Sequence, residues 1–232
     1  MSAPPSIQVI FFDAAGTLIH LPKGVGWHYR AVAKRHGWEA DEAKLTRAFR
    51  LAWQAASPLP TTKSRRLDDD KEWWKALVRS VIENCGVPAE LERAAFFEEL
   101  YAEFTLPGVW ALFPEARAVI ERLRGRYRLG VISNFDSRLR RVLDHLELTN
   151  LFEVVAISSE VGADKPDPWI FQRALEMMGV EAHEALHVGD DPDCDWRAAE
   201  ALGLHSFRLD RPHNSLLDLL SVLTANLSPG QR

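Results

Sequence analysis

Cysteine is scarce in this chain of 232 residues, and its two cysteines, Cys85 and Cys194, lie far apart in the sequence. Two distant cysteines do not make a disulfide framework, and they do not have the spacing of a structural zinc site. Such scarcity is typical of proteins from a reducing compartment. It argues against the class of small secreted proteins held together by disulfides.

Long hydrophobic runs are also missing. No segment approaches the roughly 18 consecutive apolar residues that a membrane-spanning helix needs. The opening residues Met-Ser-Ala-Pro-Pro-Ser lack the basic region and the apolar core of a secretion signal. We therefore expect a soluble cytoplasmic protein without a membrane partner.

The chain has no excess of positive charge. It carries 28 Lys and Arg against 33 Asp and Glu, and its formal net charge at pH 7 is −5. A weakly acidic chain lacks the basic surface that attracts nucleic acids and anionic membranes. We therefore expect no nucleic-acid partner. The oligomeric state expected is a monomer or a homodimer.

The apolar residues that are present, 47% of the chain, are enough for a sizeable core and fall into two patterns. Residues 21–106 read as helices with almost no strand signal, as where Asp41 precedes Leu45, Phe49 and Trp53 at four-residue spacing. Before and after this segment the chain contains strands, and after it strands alternate with helices. This alternation predicts a parallel sheet with right-handed crossovers.

The fold class predicted is therefore α/β. Residues 1–20 and 107–232 form one α/β core domain, and residues 21–106 form an all-helical domain inserted after the first strand. We expect the tryptophans of the inserted domain to be core residues; they are Trp27, Trp38, Trp53, Trp73 and Trp74. A loop near residues 57–67 carries Lys63, Arg65 and Arg66, and we expect these side chains to be solvated.

Polar residues lie where four predicted strands of the core end. In a parallel sheet such ends share one edge, so these groups can converge on a single crevice. Carboxylates suit Mg²⁺, a lysine can neutralise phosphoryl oxygens, and an aspartate can be the nucleophile that forms an aspartyl-phosphate. The residues are Asp13 and Thr17, then Ser133 and Asn134, then Lys165, and finally Asp190 and Asp195.

These four segments resemble, in order and spacing, the four motifs of the haloacid dehalogenase superfamily. The resemblance covers nearly the whole chain, and the helical insert lies where members with a helical first-type (C1) cap carry that cap. It implies a Rossmann-like core with an inserted cap domain, and a hydrolase that acts on a small-molecule substrate, a phosphate ester in the phosphatase members.

The resemblance also implies roles for single residues. Asp13 corresponds to the nucleophile and Lys165 to the lysine of the third motif, so both are expected to be catalytic. Thr17 and Ser133 correspond to substrate-binding positions, and Ser133 would hold the transferring phosphoryl group. Asn134 either contacts the substrate or stabilises its own turn.

A metal site follows from the same resemblance. The cofactor implied is Mg²⁺, held by the carboxylates of Asp13 and Asp190 and by the backbone carbonyl of Ala15. Asp195 would support the site as the second acidic residue of the fourth motif. His187 is expected to be an ordinary buried strand residue.

The sequence departs from the family pattern at Ala15. Phosphatases of the family have a second aspartate there, which protonates the leaving group and later activates water. A positioned general acid or base contributes roughly 10²–10⁴-fold to a rate, so phosphatase activity is expected to be weakened or specialised. His20 is a candidate for a substitute proton donor.

Three interpretations remain open. The favoured one is a Mg²⁺-dependent phosphohydrolase that acts through an aspartyl-phosphate. The second is a carbon-centred hydrolase: phosphonoacetaldehyde hydrolases also carry alanine at the position of Ala15 but need a cap lysine, whereas dehalogenases usually carry tyrosine there. The third is a non-catalytic protein that keeps a phosphate- and metal-binding pocket.

Overall fold

The computed structural model describes residues 7–225. The sequence predicts a frayed terminus after Ser228, and that segment lies outside the described residues. The main sheet has five parallel strands, which are β1 (Val9–Phe12), β4 (Arg128–Ser133), β5 (Val154–Ile157), β6 (Ala185–Gly189) and β7 (His205–Arg208). Their order across the sheet is β5-β4-β1-β6-β7. The α/β fold class is confirmed.

Strand β1 occupies the centre of this sheet because all four of its residues are apolar and suit burial on both faces. Ile10 and Phe12 pack into the core on one face, and Val9 and Phe11 pack into the core on the other. This alternation follows the two-residue period of a strand. The chain therefore leaves the middle of the sheet at Asp13.

Helices cover both faces of the sheet. One face packs against α5 (Ala116–Arg124), α6 (Arg138–His145) and α10 (Leu216–Ala225). The other packs against α8 (Pro168–Met178) and α9 (Ala198–Ala201), while α7 (Ser158–Val161) directly follows β5. A π-helix over Pro192–Arg197 precedes α9.

The inserted segment contains α1 (Gly24–Arg35), α2 (Glu42–Ala55), α3 (Lys71–Glu83) and α4 (Arg93–Glu103). These helices, which we call the cap, share a hydrophobic core of their own, with Tyr29, Leu45 and Phe96 among its buried residues. Asp41 caps α2, because its side chain accepts a hydrogen bond from the Lys44 backbone N–H. The exact domain boundaries stay a prediction.

A two-stranded antiparallel ribbon ties the two connections of the cap together. Its strands are β2 (Ile19–His20) and β3 (Ala111–Leu112), which lie on either side of the inserted segment. The His20 ring stacks on Phe113 with centroids 4.6 Å apart. The ribbon fixes the base of the cap beside the carboxyl edge of the main sheet.

Within residues 7–225, no helix combines the length and the apolar character that crossing a membrane requires.

Candidate active site

A cavity of about 560 Å³ lies between the carboxyl edge of the sheet and the cap. Phe12 pairs with Val131 of β4 and with Val188 of β6, so the three strands end side by side. Seven of the eight predicted site residues line the cavity; they are Asp13, Ala15, Ser133, Asn134, Lys165, Asp190 and Asp195. Thr17 is buried beside them, and its hydroxyl donates to Asp190 Oδ1 at 3.2 Å.

Lys165 joins two carboxylates at the floor of the cavity. Its Nζ lies 2.7 Å from Asp13 Oδ1 and 2.6 Å from Asp195 Oδ1, and all three side chains are buried. Asn134 positions the lysine, because its amide donates to the Lys165 carbonyl at 2.8 Å and accepts from the Lys165 N–H at 2.6 Å. The structure thus gives Asn134 a positioning contact, and a contact with substrate stays a prediction.

Asp195 also has partners on β6 and on the turn that follows it. His187 Nε2 lies 2.9 Å from Asp195 Oδ1, and the Asp191 N–H donates to Asp195 Oδ2 at 3.0 Å. The approach is close enough that a Cβ on Gly189 would lie 2.2 Å from Asp195 Cγ. Glycine is therefore required at this position for the π-helix to fold back on the strand.

The three groups shift one another's ionisation. Burial raises the pKa of the Asp13 carboxyl to about 6, although the Lys165 ammonium acts in the opposite direction. Burial would also raise the pKa of Asp195, but Lys165 and His187 outweigh it and hold that pKa below its usual range. Burial would lower the pKa of Lys165, yet the two carboxylates raise it. Lys165 therefore stays charged.

The acidic residues fit a divalent cation with a preference for oxygen. Asp13, Asp190 and Asp195 each offer a carboxylate oxygen, and these oxygens lie within 4.8 Å of one another. Three carboxylates share a single ammonium here, and the pKa of Asp190 is raised by desolvation and by the Asp195 charge. Hard oxygen donors and a deficit of positive charge are the properties that Mg²⁺ complements.

The turn after β1 is shaped around Asp190. Gly16 has a φ of +96°, and a Cβ on it would lie 2.4 Å from Asp190 Oδ2. The turn holds Ala15 at the cavity wall, the position at which the resemblance implies a second aspartate in phosphatases. A larger residue at position 16 would push the turn away from Asp190.

Within the described lining of the cavity, no acid replaces the one absent at Ala15. The carboxylic acids there are Asp13, Asp190, Asp195 and Asp191, and the Asp191 carboxylate accepts from the backbone N–H groups of Asp193 and Cys194. His20 does not line the cavity and instead stacks on Phe113. The structure therefore gives the proposed proton donor His20 no contact with the site.

The cap side of the cavity is largely aromatic. Trp53, expected in the core, is 49% exposed and lines the cavity together with Trp74. The expectation was wrong for Trp53 because helical spacing identifies an apolar face without showing whether that face meets core or cavity. The other aromatic lining residues are Tyr29, Phe49, Phe97, Tyr101, Phe104, Trp110 and Phe135.

The loop before α3 reaches from the cap to the core. Arg66 was expected to be solvated, but it is buried and pairs with Asp164 at 2.8 Å and with Asp70 at 2.8 Å. Asp69 accepts hydrogen bonds from the Ser137 N–H at 3.1 Å and from the Ser159 hydroxyl at 2.6 Å. Apart from the local pair with Asp70, sequence could not reveal these contacts, since their partners lie roughly 70 to 100 residues further along the chain.

Known proteins show the same sequence pattern and fold. The family model described as "haloacid dehalogenase-like hydrolase" matches residues 7–203. Haloacid dehalogenase-like hydrolase domain-containing protein 3 of Mus musculus is 36% identical over 203 residues, which cover 87% of this chain and 81% of that protein.

Solved structures share the architecture at lower identity. A phosphatase of the same superfamily from Thermococcus onnurineus superposes with a TM-score of 0.66 at 22% identity, covering 94% of this chain and 98% of that one. The defluorinating L-2-haloacid dehalogenase Rha0230 superposes with a TM-score of 0.74 at 20% identity, covering 89% and 82%. The resemblance drawn from the four motifs is confirmed, and the chain belongs to the haloacid dehalogenase-like hydrolase family.

Proposed function

We propose that the protein is a Mg²⁺-dependent phosphohydrolase in which Asp13 is the nucleophile and carries the phosphoryl group as an aspartyl-phosphate. One observation carries this proposal. Asp13 lies at the centre of the sheet edge, faces the cavity, and is held by Lys165 Nζ 2.7 Å from its Oδ1. A buried carboxylate fixed beside a permanent positive charge is suited to attack on an anionic phosphoryl group.

Other side chains have the chemistry to hold that group. The Ser133 hydroxyl lines the cavity and makes no hydrogen bond to the residues that the structure describes, so it is available to a phosphoryl oxygen. The Lys165 ammonium neutralises charge that develops on those oxygens. Asn134 keeps Lys165 in place through two hydrogen bonds to its backbone.

Asp13, Asp190 and the Ala15 carbonyl would hold Mg²⁺, while Asp195 is engaged by Lys165 and His187 and supports them. The ion would supply positive charge for the phosphoryl oxygens and for the surplus of carboxylates. Thr17 fixes Asp190 through its hydroxyl. Two of the acidic residues would thus hold the ion, and the third orients the lysine.

The experiment is release of phosphate from p-nitrophenyl phosphate with Mg²⁺. The wild type is expected to turn over, and Asp13→Asn is expected to lose activity to background. Asp193→Asn is the matched control, because that carboxylate is exposed on the π-helix and pairs with Arg197. Activity that survives in Asp13→Asn contradicts the nucleophile assignment.

Two competing functions give different products. A carbon-centred hydrolase is the second candidate, since Ala15 is shared with phosphonoacetaldehyde hydrolases and the fold with a dehalogenase. Among the described residues that line the cavity, Lys165 is the only lysine, and it is held by two carboxylates, which disfavours a Schiff base. Release of halide or acetaldehyde instead of phosphate would favour this candidate, and no release of any product would favour a non-catalytic binding protein.

A further inference from the structure

Three cap helices bring tryptophan and tyrosine rings together above the catalytic residues. Trp53 of α2 lies 5.8 Å from Trp74 of α3 between ring centroids, and both line the cavity. Tyr101 of α4 lines the cavity as well, and we call the three residues Trp53, Trp74 and Tyr101 the wall. The Arg138 guanidinium lies 3.6 Å from the centroid of the Tyr101 ring. Flat apolar surface therefore faces the space in which a leaving group would lie.

The exposure of Trp53 is not explained by packing within the protein. About half of its surface is open although Phe49, Trp73 and Trp74 surround the ring. Leaving a large aromatic side chain in contact with water forgoes about 25 cal/mol per Å² of apolar surface. An open aromatic patch that lines a cavity of ligand size marks a place where an apolar ligand binds.

The guanidinium of Arg138, which lies against the Tyr101 ring, is neutralised by its ion pair with Asp136. Arg138 Nη2 lies 2.6 Å from Asp136 Oδ2, its Nε lies 2.8 Å from Asp136 Oδ1, and both residues are buried. Arg50 and Gln54 also line the cavity, as exposed side chains of α2 without a partner among the described residues. These two side chains leave hydrogen-bonding groups beside the wall, whereas the ring faces of its two tryptophans offer none. A flat ring therefore fits against these faces better than a chain of hydroxyl groups does.

The core side of the cavity independently restricts the leaving group. Ala15 stands in place of an acid, Asp191 is engaged by backbone N–H groups, and the other lining carboxylates are assigned to the nucleophile, the ion and Lys165. No described carboxylic acid of the lining is therefore free to protonate a departing oxygen. An aryl oxide tolerates this, because the pKa of a phenol is about 10 and its anion is far more stable than an alkoxide. The aromatic wall on the cap side and the missing acid on the core side therefore both favour an aryl leaving group.

We infer that the substrate is an aryl phosphate monoester, with its phosphoryl group at Asp13 and Lys165 and its ring against Trp53 and Trp74. This inference rests on the proposed function. The Asp13 oxygen forms a bond to phosphorus while the bond to the aryl oxygen breaks, and the aryl oxide leaves with that electron pair and takes a proton from water. Water then attacks the aspartyl-phosphate, and inorganic phosphate and the Asp13 carboxylate are released.

Three substrates distinguish the contribution of the wall from that of Asp13 and Lys165 in the core. Acetyl phosphate has a small, stable leaving group and reports on Asp13 and Lys165; phenyl and 2-naphthyl phosphate have leaving groups of similar acidity but different size. We expect kcat/KM for 2-naphthyl phosphate to exceed that for phenyl phosphate by about tenfold, which corresponds to about 1.4 kcal/mol of extra contact. Acetyl phosphate should be hydrolysed by the wild type and not by Asp13→Asn.

Variants of α2 test the role of Trp53. Trp53→Ala is expected to remove the preference for the naphthyl over the phenyl ester, and Trp53→Phe, which keeps a ring, to retain most of it. Leu51→Ala is the matched control, because Leu51 is 59% exposed on the same helix and does not line the cavity. Circular dichroism melts establish that each variant is folded.

A binding measurement gives a readout that does not need turnover. Calorimetric titration with 2-naphthylmethylphosphonate, which has no cleavable P–O–aryl bond, should give a Kd about tenfold higher for Trp53→Ala than for the wild type. Equal kcat/KM values for the naphthyl and phenyl esters, or equal Kd values for Trp53→Ala and wild type, would overturn this inference while leaving the phosphohydrolase intact. Absence of phosphate release from all three substrates would overturn both.

Discussion

At the scale of single residues, Lys165 supplies the positive charge that pairs with the buried carboxylates of the candidate site. Its ammonium lies between two buried carboxylates at 2.7 and 2.6 Å, and it holds the pKa of Asp195 below its usual range against the effect of burial. Removing one partner of a buried ion pair leaves the other charge without compensation. The lysine is therefore important for stability as well as for the proposed chemistry.

Lys165→Met is expected to lower the free energy of unfolding by about 3 kcal/mol near neutral pH. The two carboxyls left behind bind protons more readily in the folded state, so the deficit relative to wild type narrows as the pH falls from about 7 towards about 5. Urea unfolding at several pH values measures this. Lys71→Met removes an exposed pair with Glu98 and should cost less than about 1 kcal/mol; a Lys165→Met deficit that widens on acidification would contradict the account.

Ala15→Asp introduces a carboxylic acid two residues after Asp13, at the position where the resemblance implies one in phosphatases. We expect kcat/KM for an alkyl phosphate such as glycerol phosphate to rise by at least about tenfold, because a positioned acid contributes roughly 10²–10⁴-fold when the leaving group needs a proton. The kcat/KM for p-nitrophenyl phosphate should change much less, because it reports the step in which the leaving group departs and p-nitrophenolate needs no proton. Ala15→Asn, which matches the size without the acid, controls for steric effects, and an equal gain in that variant would contradict the explanation.

Sequence predicted the polar residues of the strand ends well, because the order of strands in a parallel sheet brings their carboxyl ends to one edge. It could not predict that His187 contacts Asp195, since that contact depends on how the π-helix turns back over β6. It also could not separate the roles of Trp53 and Tyr29. Both have helical apolar spacing, yet one is half exposed in the cavity and the other is buried.

At the scale of elements, the loop before α3 fastens the cap to the core. Asp69 has a φ of +52° and accepts hydrogen bonds from the backbone and hydroxyl of Ser137 and from Ser159. Arg66 adds a buried pair with Asp164, the residue that precedes Lys165 in the chain. The cap is therefore held to the core by this loop as well as by the ribbon at its base.

Asp69→Ala should loosen this attachment. The variant loses charge-assisted hydrogen bonds, worth about 1.5–3 kcal/mol each, and places alanine at a left-handed φ. Hydrogen exchange of the backbone amides of Arg66 and Ser137 should become at least about tenfold faster. Asp69→Asn tolerates the same backbone and keeps one acceptor, so it should show a smaller effect; unchanged exchange in Asp69→Ala would contradict the assignment.

Elements with strong local signals were the ones that sequence identified. Helix α8 begins at Pro168 after Asp167, whose side chain caps it, and it ends before Gly179 at a φ of +64°. The ribbon of β2 and β3 could not be predicted in this way. Each of its strands has two residues, and their pairing joins segments about 90 residues apart.

At the scale of the whole molecule, the net charge of −5 is modest, but negative charge is concentrated at the candidate site. Asp13, Asp190 and Asp195 converge, and a cation bound there would link binding to stability. The family and the α/β fold were predictable from the order of the motifs. The shape of the cavity was not, because it forms between the sheet edge and a cap that has its own core.

Magnesium is expected to stabilise the folded protein. At a concentration of about 100 times its Kd, a cation that binds the folded state alone adds about 2.7 kcal/mol to the free energy of unfolding. Thermal melts with Mg²⁺ and with EDTA measure this, and Asp190→Asn should remove most of the difference. Asp193→Asn should keep it, and a Mg²⁺ effect of equal size in Asp190→Asn would place the ion elsewhere.

The central claim is that Asp13 carries the phosphoryl group during turnover. Peptide mass spectrometry of protein quenched in acid during hydrolysis of p-nitrophenyl phosphate tests it most directly. The account predicts a phosphoryl group on the peptide that contains Asp13, assigned to that side chain and lost in Asp13→Asn. Continuing turnover with the phosphoryl group on another residue would contradict it.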